Sequence, residues 1–267
     1  QLSAQGGDAA ARGIMTTDTV AKVAEERVTL GGKVVRLWGT AKGAGMIHPQ
    51  MATMLAFLLT DAAVEPPVLR QFLRRAVDQS FNRITVDGDM STSDMVILFA
   101  GGASGCKPIP TLSSARGRSF GAALNRLCGC LAEMLVRDGE GATRLIRVEV
   151  EGAPDEKEAE RIARGIASGN LVKTAIAGGD PNWGRIVARI GQCSRVADLD
   201  RMEVFLGAVR VYADGRALDY SLKKAERAVQ GKNVLIRVAL HQGKAVARSW
   251  TCDLTHEYIR VNSEYHT

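Results

Sequence analysis

The sequence predicts a layered α/β or α+β fold, and three observations predict it. Short apolar or alternating runs of strand length recur along the chain, segments with helical spacing of apolar residues lie between them, and Gly-rich turns separate the two kinds. With 46% hydrophobic residues, 24% charged, and 28 Gly against 7 Pro in 267 residues, the composition is that of a globular protein with one large or two modest cores.

In order along the chain, VAKVAEERVTL at 20–30 is a polar-apolar mixture that leads to a Gly-Gly turn, and Val34, Val35, Leu37 and Trp38 mark a strand leaving it. The run MLAFLLT, beginning at Met54, is short enough to be a buried strand. Val68, Leu69, Phe72, Leu73, Ala76 and Val77 recur at helical spacing with Pro in the first turn, which predicts a helix over 67–81. NRITVDGDMSTSDMVILFAGG then reads as strand, polar turn and apolar segment, and 119–137 as a second helix with Leu124, Leu127, Cys128, Leu131, Met134 and Leu135 on one face. Beyond a soft boundary at 138–146, RLIRVEVEG alternates like a half-buried strand, DEKEAERIARGIASG is helical and charged, and GGDPNWGRIVARIG joins a turn to a helix. MEVFLGAVRVYADG, KNVLIRVALHQG and KAVARSWTCDL follow as strands, with SLKKAERAVQ helical between the first two.

Several functions are disfavoured at once. No run approaches the ~18 apolar residues of a membrane span, and no signal-like segment opens the chain, so the expectation is no membrane and a cytoplasmic location. A net charge of +6, spread through mixed segments and unaccompanied by aromatics, argues against nucleic acid. Cys106, Cys128, Cys130, Cys193 and Cys252 form no CxxC pair and fit reduced thiols, with Cys128 and Cys130 read as small buried hydrophobes. Four His without ligand spacing make a metal site unexpected. The span Val86–Asp94 fails as a calcium loop, because position six would be Thr92 and position twelve Leu98, and reads instead as a polar turn or N-cap cluster or a cleft lining.

KGAGMIHPQMATML, from Lys42 to Leu55, is different in kind. A Thr hydroxyl needs a base, and cutting the bond before a Thr supplies one, since the new α-amino group, with a pKa of ~8, sits beside its own hydroxyl. That chemistry alone selects no particular Thr, and by itself Thr53 reads as an ordinary strand residue.

The segment resembles the self-cleavage and nucleophile region of the ornithine acetyltransferase (glutamate N-acetyltransferase) family of the cyclic arginine pathway. IMTTDT at 14–19, ITVDGDMSTSD at 84–94, DGEGATR at 138–144, GGDPNWGRI at 178–186 and YIRVNSEYHT at 258–267 resemble further blocks of that family in the same order. The resemblance implies a layered αββα-type sandwich of the N-terminal-nucleophile-like kind with a second α/β portion at the C-terminus. It implies cleavage between Ala52 and Thr53, so that 1–52 ends an α chain, 53–145 opens the β chain and 146–267 completes it. Thr53 would take acetyl from N-acetylornithine and pass it to glutamate in a ping-pong transfer, without a cofactor or metal, and acetyl-CoA is a further donor the family admits. Substrate contacts carry over to Thr16, Lys42, Thr53, Glu140, Asn262 and Thr267. Their chemistry agrees: Lys42 suits a substrate carboxylate, Glu140 an ammonium, and Thr16, Asn262 and Thr267 offer neutral hydrogen bonds. Taken alone, Lys42 reads as a surface lysine, Glu140 as a loop carboxylate and Asn262 as a turn residue.

In the family the oxyanion donors are a Thr-Gly pair in the N-terminal half of the α chain. Only 52 residues precede Thr53 here and the first is Gln1, so the sequence reads as the end of α followed by β, in paired αβ heterodimers (a heterotetramer). The rival expectations are an aminopeptidase or amidase with the same nucleophile, and a non-catalytic binding protein on the same fold.

Overall fold

The structure, a computed structural model, describes residues 5–48, 54–91, 93–194 and 197–264. The chain divides into two compact units, one of residues 1–83 and 89–138, the other of 84–88 and 139–267. The mixed α/β class expected from the sequence is the class observed.

The first unit is built on a four-stranded sheet. After helix α1 (Gly7–Gly13) come strands β1 (Lys22–Leu30), β2 (Lys33–Lys42) and β3 (Leu55–Thr60), then helix α2 (Pro66–Gln79). Strand β4 (Ile84–Thr85) belongs to the second unit, and the chain returns with β5 (Met95–Ala100) and helix α3 (Ala115–Arg137). The sheet order is β1-β2-β3-β5, with β1, β2 and β3 antiparallel in turn and β5 parallel to β3. The Gly31-Gly32 turn joins β1 to β2 with both glycines at positive φ, a region open to Gly at little cost.

Helix α3 covers one face of this sheet. It starts at Ala115, four residues before the sequence suggests, because the Ser114 hydroxyl caps it by accepting from Gly117 N–H at 3.0 Å. Phe120, Leu124, Leu127, Leu131 and Leu135 are fully buried beneath it, each worth ~1.5–3 kcal/mol of burial. Gly39 on β2 lets the layers close, since a Cβ there would lie 2.8 Å from Leu58 and 2.9 Å from Leu131. Phe72 of α2 meets Phe120 edge to face at 5.1 Å. Cys128 is buried as expected, whereas Cys130 is exposed: two residues on along a helix point to different sides.

The second unit holds β4, β6 (Leu145–Ala153), helices α4 (Glu156–Ala167), α5 (Asn170–Ala177) and α6 (Trp183–Cys193), strands β7 (Glu203–Leu206), β8 (Val209–Ala213) and β9 (Arg216–Ala217), helix α7 (Leu222–Gln230), strands β10 (Asn233–Ala239) and β11 (Ala245–Cys252), and helix α8 (His256–Glu264). Its sheet runs β4-β11-β6-β10-β7-β8-β9. MEVFLGAVRVYADG, read as one strand segment, is two short strands, β7 and β8, turned at Gly207, and its last residue, Gly215, turns the chain into β9; both glycines are at positive φ. Ile146, Val148 and Val150 of β6, Ile236 and Val238 of β10, and Ala159, Ile162 and Ile166 of α4 form the core. The excursion 84–88 is held there by pairing of Ile84-Thr85 with Trp250-Thr251 and by the buried Lys173 ammonium, which donates to the Val86 carbonyl.

Candidate functional site

In the first unit, strand register decides which residues meet. Lys42, the last residue of β2, pairs with Leu55, the first of β3, and Leu55 pairs with Met95, the first of β5. Lys42, Met54 and Asp94 therefore lie at one end of the sheet. Lys42 is not the surface residue it resembles in isolation; it is 7% exposed, and its Nζ lies 3.5 Å from Thr16 Oγ1. The lysine expected to meet a substrate carboxylate and the threonine expected to offer a neutral hydrogen bond are thus side by side.

Asp18 sets their spacing. Its Oδ2 accepts the Thr16 N–H at 3.0 Å, and its Oδ1 accepts the Gly43 N–H at 2.7 Å. Gly43 has φ +142°, in the region that disfavours a side chain, which allows the strand to turn immediately after Lys42. Asp18 also accepts from Lys22 Nζ at 2.5 Å, and the same ammonium donates to Asp138 at 2.6 Å. Burial, the largest influence, pushes the Asp18 carboxyl up, but the Gly43 N–H, the Lys22 ammonium and the Thr16 N–H outweigh it and hold it below the usual value. The motif IMTTDT resembles a family block, yet the part played by its aspartate was invisible in one dimension, because Gly43 is 25 residues away.

Asp94 occupies the other side of the strand start. Its Oδ1 accepts the Met54 N–H at 2.9 Å, and the next residue, Met95, donates its N–H to the Met54 carbonyl at 3.0 Å. Asp94 is thus no N-cap. Asp87, at the other end of the same polar span, accepts from the Tyr258 hydroxyl at 3.3 Å within the second unit. Burial drives the Asp94 carboxyl up, opposed by the Met54 N–H and the Lys42 charge. Ala52 and Thr53 lie outside the described residues, as does Thr267.

In the second unit the structure brings Glu140 and Asn262 together. Asn262 is on helix α8 and not in a turn, and its Nδ2 donates to Glu140 Oε2 at 2.8 Å and to the Tyr258 carbonyl at 3.0 Å. The loop bearing Glu140 is anchored on both flanks. Thr255 Oγ1 donates to the Gly141 carbonyl at 2.7 Å, and buried Asp253 accepts the Thr143 and Arg144 N–H groups at 2.8 and 2.9 Å. Gly141 has φ +69°, and a Cβ on it would stand 2.4 Å from Tyr258 N, so only Gly fits against α8. The first unit thus presents a cation beside a hydroxyl, and the second, taken by itself, a carboxylate beside an amide. Among the described residues, no group of three or more His, Cys, Asp or Glu could hold a metal ion, and no helix is long and apolar enough to cross a membrane.

Comparison with known proteins identifies the family. The sequence profile described as "ArgJ family" matches residues 1–267. The arginine biosynthesis bifunctional protein ArgJ of Symbiobacterium thermophilum is 45% identical over 266 residues, covering 100% of this chain and 66% of that protein. That of Thermotoga neapolitana is 45% identical over 261 residues, covering 96% and 66%, and that of Geobacillus stearothermophilus is 46% identical over 254, covering 95% and 62%. The chain therefore spans slightly less than two thirds of the length of these curated relatives, at 62–66%. The crystal structure of the arginine biosynthesis bifunctional protein argJ from Bacillus halodurans superposes with a TM-score of 0.76 at 38% identity, covering 78% of this chain and 98% of that one. Identity over the whole sequence, the shared fold and the motif order all lead to one statement: the chain belongs to the ArgJ family.

Proposed function

We propose that this chain carries the nucleophile of an acetyltransferase of arginine biosynthesis, which moves acetyl from N-acetylornithine to glutamate through an acetyl-Thr53 intermediate. The observation that supports this best is the placement of buried Lys42 beside Thr16, at the sheet end where β3 begins two residues after Thr53. A buried ammonium beside a hydroxyl suits a carboxylate, and both N-acetylornithine and glutamate bring an α-carboxylate to it.

Cleavage between Ala52 and Thr53 comes first and frees the Thr53 α-amine. The amine takes the hydroxyl proton as Oγ1 attacks the acetyl carbonyl; the tetrahedral intermediate collapses by breaking the amide C–N bond, and the departing ornithine nitrogen takes the proton. Glutamate then attacks the ester with its own amine, Thr53 regains its proton, and N-acetylglutamate leaves. Glu140, steadied by Asn262, suits the ammonium end of a substrate, with Thr267 at the chain's end completing the contacts the resemblance implies. The word "bifunctional" in the relatives' names fits acetyl-CoA as a second acetyl donor. The cleaved α and β chains would remain associated, as paired αβ heterodimers in the cytoplasm.

Intact mass spectrometry of the expressed chain, wild type against Thr53→Ala, tests the reading. Wild type is expected to appear as two fragments split before Thr53, with the larger gaining one acetyl group on exposure to N-acetylornithine and losing it on addition of glutamate. An uncut wild type that never acquires acetyl on Thr53 overturns the reading, and acetyl release that ignores glutamate makes the protein a hydrolase.

A further inference from the structure

Met54, the residue before β3, has both its backbone polar groups held by consecutive residues: Asp94 Oδ1 accepts its N–H, and the Met95 N–H donates to its carbonyl. The N–H taken by Asp94 Oδ1 is the amide that Met54 shares with Thr53. Restraining that amide restrains the residue bonded to it, because the peptide is planar and its barrier to rotation is ~18–20 kcal/mol.

Sheet stability does not account for a carboxylate at this point. The parallel pairing of β3 with β5 already runs from Leu55↔Met95 to Thr60↔Ala100. Asp94 adds a cost instead: its Oδ2 is sealed from solvent and has no hydrogen-bond partner among the described residues. A buried acceptor without a donor is destabilising, and the burial raises the carboxyl's pKa. A carboxylate placed so, with one oxygen on a backbone N–H and the other unpartnered, points to a role beyond strand pairing.

We propose that Asp94 is a positioning residue for the nucleophile: its Oδ1 fixes the Thr53–Met54 amide so that the Thr53 hydroxyl is aligned with the carbonyl carbon it attacks, in self-cleavage and again in acetyl transfer. The role rests on the assignment of Thr53 above. It requires a hydrogen-bond acceptor and not a negative charge. Asn keeps a carbonyl oxygen for the Met54 N–H, whereas Ala removes it.

The test follows self-cleavage of the full chain over time by mass spectrometry in wild type, Asp94→Ala, Asp94→Asn, Thr53→Ala and, as a control for lost stability, Leu98→Ala in the same strand. Misplacement of a reacting group costs large factors in rate, so Asp94→Ala should slow cleavage by at least about tenfold, with Asp94→Asn within about threefold of wild type. Leu98→Ala should lower the melting temperature and cleave like wild type. Asp94→Ser, whose hydroxyl stops short of Met54, stands in with the same expectation should the alanine variant not fold. Cleavage of Asp94→Ala (or its stand-in) at the wild-type rate overturns the proposal, as does equal slowing in Asp94→Asn or in Leu98→Ala. If Thr53→Ala still cleaves, the reading of Thr53 itself has failed; if it does not cleave while Asp94→Ala does so normally, only the role of Asp94 has.

Discussion

The ammonium of Lys22 lies 2.5 Å from Asp18 Oδ1, and neither side chain exposes any surface to solvent. The same ammonium reaches Asp138 at 2.6 Å, so one buried cation sits between two carboxylates. A charge so placed is costly to bury but more costly to remove, because the partners left behind stay charged and dry.

Replacing Lys22 with Met should therefore destabilise the protein by about 3–5 kcal/mol, the usual cost of breaking a buried pair by deleting one partner. Urea unfolding monitored by circular dichroism would measure this. A loss below about 1 kcal/mol would show that the pair behaves like an exposed one.

Asp18 and Asp94 should respond to neutralisation with opposite signs. Asp18 titrates below its unfolded value, so its stabilisation is complete above that unfolded value and disappears as pH falls through the folded one. Asp94 titrates above its unfolded value, so its contribution is greatest below the unfolded value and declines as pH rises through the folded one. At about pH 7, Asp18→Asn should lower the melting temperature and Asp94→Asn should raise it; the deficit of Asp18→Asn should shrink by about pH 3. Shifts of the same sign at neutral pH would contradict both assignments.

Gly39→Ala should cost about 1–3 kcal/mol, the range for overpacking a filled core, because the added methyl runs into Leu58 and Leu131 at under 3 Å. Denaturant titration against wild type measures it, and an unchanged midpoint would mean that α3 can yield without cost.

Gly141→Ala acts on the pairing of Glu140 with Asn262 directly. The new Cβ would collide with the backbone of Tyr258, displacing the first turns of α8 and with them Asn262 from Glu140. Faster amide exchange across His256–Glu264 is the expected result. Unchanged exchange in α8 would argue against the anchoring.

Thiol labelling separates the cysteines. Burial pushes Cys128 up to about 12 and Cys252 up to about 11, so neither supplies thiolate near neutrality. Exposed Cys130 should react first with iodoacetamide in the native protein, and Cys128 and Cys252 only after unfolding. Peptide mapping of the labelled sites would show the order, and early labelling of Cys128 would place it nearer the surface than its packing implies.

Much of the fold could be read from local pattern, and the failures have physical causes. β1 escaped notice because KVAEERVTL opens on a lysine whose buried side is satisfied only by Asp18 and Asp138, partners that no periodicity reveals. α5 was missed because NLVKTAIA is eight residues between glycines, too short to show a full repeat, and turns its lysine inward to the Val86 carbonyl. The candidate site residues stand out only through resemblance, since Lys42 and Glu140 taken alone look like ordinary surface charges. Their supports, Asp18 on Gly43, Asp94 on Met54 and Asp253 on Thr143, bridge 25, 40 and 110 residues, and such pairings exist only once the strands have chosen their register.

The five residues from Ile84 to Gly88 fold with the second unit while the chain on either side of them folds with the first. A gene cut at Asp138 would therefore yield no pair of self-sufficient halves: the later piece would have its β11 edge bare beside Trp250 and its Lys173 ammonium facing no carbonyl. Such interleaving means that no single cut in the chain separates the residues of one unit from those of the other. It also leaves Ile84–Gly88, made early, without its sheet until the rest of the second unit has been synthesised.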